Sequence, residues 1–329
     1  MRAGLRRHAA TVALSAPAAP WTRRTLRART KIVYAHHVGP AAPHVAAFGP
    51  AFTVAALDEH LAALERHFEF ASLAEVLAAN DSDDADASER LAVTFDDGFD
   101  LMGGGALDVL DAHGVKATTF VLTDMLDNRG LMWRNKLSAI RTLRSEQTYV
   151  PAYNRLMALA SAPAIGDASE LMGAAMQWDM RRKDELADEL WAACDMPALS
   201  EFLDEHRPYF TRDGLATWLG RGHAVGLHTA THPDCSRLDA DGVRAEILEP
   251  ARALSSELAI GSLPFSYPFG RRCAPALEPI LVQAGVLHCA LGIRGFSRRG
   301  TDPWHLERAS IEGDMRFSVY GKAFLGVPR

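Results

Sequence analysis

The sequence is poor in cysteine, has no long apolar run and no surplus of positive charge, and lacks a nucleotide fingerprint. Its four cysteines, Cys194, Cys235, Cys273 and Cys289, are scattered and form no CxxC pair. That leaves free thiols in a packed domain, or a disulfide if the chain is exported. No stretch reaches the roughly 18 apolar residues that a transmembrane helix needs. The net charge of -6 gives no footing for nucleic acid as a partner. Gly103-Gly104-Gly105 lacks the spacing and the partner acid of a dinucleotide-binding turn. Acidic residues are missing from the start of the chain, the first being Asp58, while Arg2, Arg6, Arg7, Arg23, Arg24, Arg27 and Arg29 crowd there. Between these arginines, residues 9–20 are mostly alanine broken by proline, with the outline of a signal peptide. Cleavable export, a basic segment resting on an anionic membrane and a plain unstructured tail all fit this segment. A cytoplasmic or membrane-associated protein is favoured, with export left open.

What remains is an ordinary soluble composition, 48% hydrophobic and 23% charged over 329 residues. It suffices for a sizeable core without staples. Strand patterns fall at 31–36, 68–73, 90–97, 116–122, 223–229, 264–269, 286–291 and 305–311, with helical patterns between them. Leu57, Leu61 and Leu64 mark one helix face, and Val243, Ile247, Leu254 and Leu258 another. Repeated strand–helix alternation predicts parallel strands with right-handed crossovers. The fold class is therefore α/β, a (β/α) barrel of seven or eight strands, with an open doubly wound sheet as the alternative. Residues 123–213 break the rhythm, being helical with no convincing strand. The expected organisation is a basic segment over 1–30, a barrel over 31–122 and 214–329, and a helical insertion over 123–213 between the fourth and fifth strands.

The chemistry concentrates at expected strand ends. Thr94-Phe95-Asp96-Asp97-Gly98 places two carboxylates side by side. Burying them is costly unless a cation compensates. One aspartate capping a helix and one solvated is the plain alternative. Both can face one centre only if the strand ends in a turn, which Gly98 permits. His228 and His232 stand at i and i+4, compatible with one face of a helical turn holding a metal. Phe265-Ser266-Tyr267-Pro268-Phe269-Gly270 ends another strand in a rigid turn able to aim a backbone N–H. In a barrel these ends share one rim.

Taken together, Thr94–Gly98, His228–His232 and Tyr267–Gly270 resemble, in order and spacing, the motifs of the polysaccharide deacetylases with NodB homology, carbohydrate esterase family four. Tyr34-Ala35-His36-His37-Val38 is similar to that family's opening strand. Thr301-Asp302-Pro303 with Leu306 and Arg308 resembles a late segment of exopolysaccharide-associated members. The resemblance spans residues 31–311 apart from the insertion.

It implies a hydrolase that removes N-acetyl groups from a sugar of a polysaccharide or its precursor. Asp96 would be the general base. Asp97, His228 and His232 would hold a divalent metal, zinc first, with cobalt, nickel or iron as alternatives. The backbone N–H of Phe269 would stabilise the oxyanion, and Tyr267, Pro268 and Trp304 would contact substrate. Two family features are missing. No late histidine clearly supplies the general acid; His305 is the candidate carried forward, with His288, His36 and His37 behind it. The arginine two residues before Pro268, which orients the base in the family, is replaced by Ser266. These gaps motivate one alternative, a carbohydrate-binding subunit of a polysaccharide synthesis complex with an impaired site; an O-acetyl glycan esterase using the same site is another.

Overall fold

A computed structural model describes residues 29–80, 89–159 and 163–313. The basic segment up to residue 28 lies outside the described residues. Ten strands form one sheet: β1 (Arg29–Ala35), β2 (Glu69–Phe70), β3 (Arg90–Phe95), β4 (Thr118–Val121), β5 (Ala224–Leu227), β6 (Leu263–Ser266), β7 (Leu287–Gly292), β8 (Ser297–Arg298), β9 (Leu306–Glu307) and β10 (Ala309–Ser310). Their order is β10-β1-β3-β4-β5-β6-β7-β9, with β2 beside β3 and β8 antiparallel to β1. The other pairings are parallel. Only Arg308 separates β9 from β10, so one segment of chain joins β7 to β1 and nearly closes a distorted barrel. Each of the eight expected segments carries a strand, the second reduced to two residues.

Alternation sorts the side chains into two layers. Ile32, Ala92, Phe120, Cys289, Leu291 and Leu306 fill the barrel interior. Val33, Val93, Val121, Leu227, Phe265 and Ala309 face outward into the main core under the helices. Gly226 shares the inward register, where a Cβ would come 2.5 Å from the Phe120 ring and 2.8 Å from the Pro264 carbonyl. Helices Val54–Glu65, Leu73–Asn80, Ala106–Ala112, Arg212–Gly220, Glu249–Leu258 and Glu278–Gln283 accompany the strands. In the first of these, Leu57, Leu61 and Leu64 are all fully buried.

Between β4 and β5 the chain leaves the barrel for helices Trp133–Leu143, Glu146–Leu159, Leu171–Ala175, Lys183–Ala193 and Leu199–His206. They carry a second apolar core that includes Trp133, Leu137, Tyr153, Leu190 and Phe202. Not all of the segment expected to be helical is so: between residues 163 and 182 the one helix is Leu171–Ala175, and Trp178 and Met180 pack into that core from turns. No helix among the described residues is long and apolar enough to cross a membrane.

Candidate active site

Because the long strands are parallel, the ends of β1, β3, β5 and β6 meet on one rim. Asp96 follows β3 in the register of Ala92 and Thr94, so it points into the barrel. Its N–H donates to the Ala35 carbonyl at 2.9 Å. Asp97 would face outward if the strand continued. Instead it adopts φ 68°, Gly98 does the same, and both aspartates end up buried around one centre. A Cβ on Gly98 would come 3.1 Å from Val121 Cα, which fixes glycine there.

His228 follows β5, and its Nδ1 pairs with the Ser266 carbonyl at 2.7 Å. A carbonyl accepts only, so Nδ1 carries the proton and Nε2 presents its lone pair. The expected helical turn is absent. His232 is brought round by a loop in which Thr229 (φ 79°) and His232 (φ 62°) are both left-handed. The His232 N–H donates to Thr229 Oγ1 at 2.9 Å. Trp133 Nε1 from the insertion donates to the His232 carbonyl at 2.9 Å.

The Nε2 atoms of His228 and His232 each stand 3.3 Å from Asp97 Oδ1. That oxygen nonetheless has no aligned hydrogen bond. Burial pushes His232 down to about 4, its neighbour Asp97 opposing, so its ring is neutral at neutral pH. Burial would raise the Asp97 pKa, but the two histidines hold it well below the usual carboxylate value. Two imidazole nitrogens and a carboxylate oxygen converging on one buried point fit a cation. The 3.3 Å edges match the ~3.3 Å edge of a tetrahedral ion with ligands at about 2.0–2.1 Å. These three residues form the only such group among the described residues.

Asp96 lies beside this group but is engaged elsewhere. Arg308, fully buried between β9 and β10, grips it bidentately, Nη1 to Oδ1 at 2.8 Å and Nη2 to Oδ2 at 2.7 Å. Its remaining donors reach Thr94 Oγ1 at 3.0 Å, Ser266 Oγ at 2.6 Å and the Gly292 carbonyl at 3.2 Å. All five N–H groups are thus satisfied, and the faces of Tyr34 and Phe120 flank the guanidinium. Burial pushes Asp96 upward; Arg308 and His228 outweigh it and hold the carboxyl below its ordinary value. The arginine missing before Pro268 therefore has a spatial substitute on the closing strand, and Ser266 opens the space it enters. The readable signal was the inward register of Leu306 and Arg308 on that strand.

The turn Pro268–Gly270 holds Phe269 at φ 59°. Gly270 N–H donates to the Tyr267 carbonyl and Arg271 N–H to the Pro268 carbonyl; the Phe269 N–H takes no part in either bond. The Phe269 ring meets His232 edge-on at 4.6 Å. Asp97, Thr229, His232 and Phe269 are four of the nine non-glycine residues with positive φ among the described residues. Strain of this kind gathers where side chains must be aimed.

Other predicted residues are placed differently. The Tyr267 side chain is buried against Phe265 in the outer core, and Pro268 is buried in the turn. Trp304 packs against that core, and its carbonyl accepts from Arg272 at 2.6 Å. His305 is half-exposed and pairs with Glu278 at 3.2 Å. Neither Trp304 nor His305 lines the cavity that contains Asp97. That cavity, about 550 Å³, is bounded by His36, His37, Phe48, Asp97, Phe99, Arg134 and Glu312 among others. His36 Nδ1 pairs with Glu312 Oε2 at 2.8 Å. Burial disfavours charge on His36, but Glu312, helped by Asp97 and Asp96, lifts its pKa to about 10. Nothing in the sequence marked Glu312 beyond its position just past the last strand.

Comparison with known proteins bears on the family and the fold. The sequence model for the polysaccharide deacetylase domain matches residues 83–158 and 188–286, over half of the chain. The chain belongs to the polysaccharide deacetylase family. It is accordingly a carbohydrate deacetylase, a hydrolase. The match takes in Asp96, Asp97, His228, His232 and Phe269 and ends before Arg308. Among solved structures, the fold is similar to the Streptococcus pyogenes deacetylase PplD in complex with acetate, at 15% identity and TM-score 0.54, covering 86% of this chain and 92% of that one. IcaB from Ammonifex degensii is similar at 16% identity and TM-score 0.53, covering 89% and 96%. A de-N-acetylase from Aggregatibacter actinomycetemcomitans is similar at 10% identity and TM-score 0.53, covering 86% and 95%. No curated protein matches the sequence.

Proposed function

We propose that this deacetylase hydrolyses the N-acetyl group of an acetamido sugar in a polysaccharide or its precursor, with a divalent cation held by Asp97, His228 and His232. The observation that carries the reading is the convergence of those three buried ligand atoms beside an ionised, arginine-clamped Asp96. When bound, a cation of this kind, zinc foremost, supplies Lewis acidity toward the acetyl carbonyl and the attacking water. Asp96 accepts the proton as water adds to the carbonyl carbon. The Phe269 N–H donates to the carbonyl oxygen as negative charge develops there. His36, protonated and oriented by Glu312, gives a proton to the nitrogen as the C–N bond breaks, releasing acetate and a free amine. This assigns the acid to His36 rather than His305, whose ring is spent on Glu278 away from the cavity.

The alternative of an impaired binding subunit was motivated by the absent arginine and absent acid. Arg308 and the His36–Glu312 pair remove both motives. The test is acetate release from chitooligosaccharides, poly-N-acetylglucosamine, peptidoglycan fragments and O-acetylated xylan by cation-loaded protein. Release from N-acetylated members, abolished by Asp97→Ala, supports the proposal. Release from the xylan alone makes the protein an O-acetyl esterase. No release from any member by protein that also binds no divalent cation sinks the reading.

A further inference from the structure

Arg134 is the one lysine or arginine on the cavity wall among the described residues. It sits in the first turn of helix Trp133–Leu143, and its neighbours on that helix are tied down. Trp133 bonds the His232 carbonyl, Asn135 Nδ2 bonds the His44 carbonyl at 2.6 Å, and Ser138 Oγ bonds the Pro43 carbonyl at 2.9 Å. Ser138 Oγ also accepts from the Ala47 N–H at 3.0 Å. The insertion is thereby pinned both to the loop after β1 and to the loop carrying His232, with Arg134 between them. The Arg134 guanidinium lies 4.7 Å over the Phe48 ring and 5.0 Å over the Phe269 ring. Two aromatic faces hold it in place, yet it makes no hydrogen bond and no ion pair among the described residues. This differs from Arg308, which has every donor satisfied.

An apolar side chain would fill the space between two phenylalanines at lower cost than a half-buried charge. The neighbouring carboxylates do not account for the charge either. Asp96 is neutralised by Arg308, and Glu312 by His36. Among the described residues, Asp97 is the remaining negative group facing Arg134, and a divalent cation on Asp97, His228 and His232 would more than cancel it. The single charge left over is met by the oxyanion that forms during acetyl hydrolysis. Arg134 therefore remains as a positive charge that nothing among the described residues and nothing in the reaction balances. Two rings lie against it and its donors have no partner among the described residues, which leaves its planar fork for a planar or multidentate anion.

We infer that Arg134 forms an anion subsite, and that the acetamido sugar this enzyme deacetylates carries, or is joined to, a carboxylate or phosphate group. The inference rests on the deacetylase reading of the same cavity and specifies its substrate class. Phe48, at 40% exposure one of the few exposed large apolar side chains among the described residues, completes the subsite with a ring beside the charge.

The experiment compares a neutral ligand, chitotetraose, with a tetrasaccharide alternating glucuronate and N-acetylglucosamine, and N-acetylglucosamine with its 1-phosphate. Binding is measured by calorimetry on metal-free and cation-loaded protein, wild type, Arg134→Gln and Arg134→Lys. Acetate release is followed separately. Wild type should bind one anionic ligand at least tenfold tighter than its neutral counterpart. Arg134→Gln should lose that ratio, and Arg134→Lys should keep part of it. Preference for the glucuronate ligand assigns the anion to a neighbouring sugar; preference for the 1-phosphate assigns it to a phosphorylated precursor. Equal binding of neutral and anionic ligands by wild type, or an undiminished ratio in Arg134→Gln, overturns the subsite. Because binding is read apart from turnover, a failure to release acetate would count against the deacetylase reading and leave the calorimetric result for Arg134 intact.

Discussion

A carboxylate as buried as Asp96 stays ionised only while a cation is held against it, and Arg308 is that cation. Breaking such a pair from one side typically costs about 3–5 kcal/mol because the other charge is left buried alone. Asp96 has a depressed pKa, so its pairing stabilises the fold above the ordinary carboxylate value and is lost as pH falls through the folded value. In Arg308→Met the sign reverses. Burial is then opposed only by the nearby histidines, the Asp96 pKa rises, and the acid limb of kcat/KM should move upward. A pH–rate profile checks this. A fall in activity with an unmoved acid limb would show that Arg308 only supports the fold. The same scale separates the two acid candidates. His36→Gln should lower kcat by about 10²–10⁴, the usual range for losing a general acid. His305→Gln should leave kcat within about threefold, since its partner is Glu278. Steady-state kinetics of both variants decide this, and a larger loss in His305→Gln would reverse the assignment.

At the scale of elements, the loop Thr229–His232 depends on pieces far from it in sequence. Helix Ala240–Val243 passes through a π turn, Arg244–Leu248, before continuing as Glu249–Leu258. Turns of this kind are frequent beside functional sites. Here it aims Glu246, which accepts from the Thr231 N–H at 3.0 Å and Thr231 Oγ1 at 2.6 Å, while its own carbonyl accepts from the Ala230 N–H. Buried Lys183, from the insertion, donates to Thr231 Oγ1 at 2.6 Å. Barrel helix and insertion thus hold His232 in place together. Glu246→Gln keeps the shape but removes the charge facing Lys183. It should weaken divalent-cation binding about 10–100-fold, as loss of an outer support of a metal ligand commonly does. Calorimetric titration measures it, and unchanged affinity would mean that the loop holds its shape without Glu246.

For the whole molecule, the alternation of strand and helix was legible because each barrel strand is a short apolar run with a local signature. The candidate site was legible where it is local as well. Asp96-Asp97-Gly98, His228 with His232, and the Pro268 turn each lie within a few residues at a strand end. What stayed hidden depends on long-range closure. Arg308 stands 212 residues from Asp96, and only the nearly closed barrel brings them together. Glu312 meets His36 across 276 residues for the same reason. The left-handed backbone at Asp97, Thr229 and His232 was hidden differently. Those residue types do not call for it, and surrounding contacts impose it, which is why a helical turn was expected where a bent loop stands.

On the proposed function, Asp97, His228 and His232 are the ligands of one divalent cation. Anomalous diffraction at the zinc edge, from crystals grown with zinc, tests it directly. One strong peak is expected about 2.0–2.2 Å from Asp97 and from Nε2 of both histidines. Zinc bound elsewhere with no peak among these three side chains would contradict it.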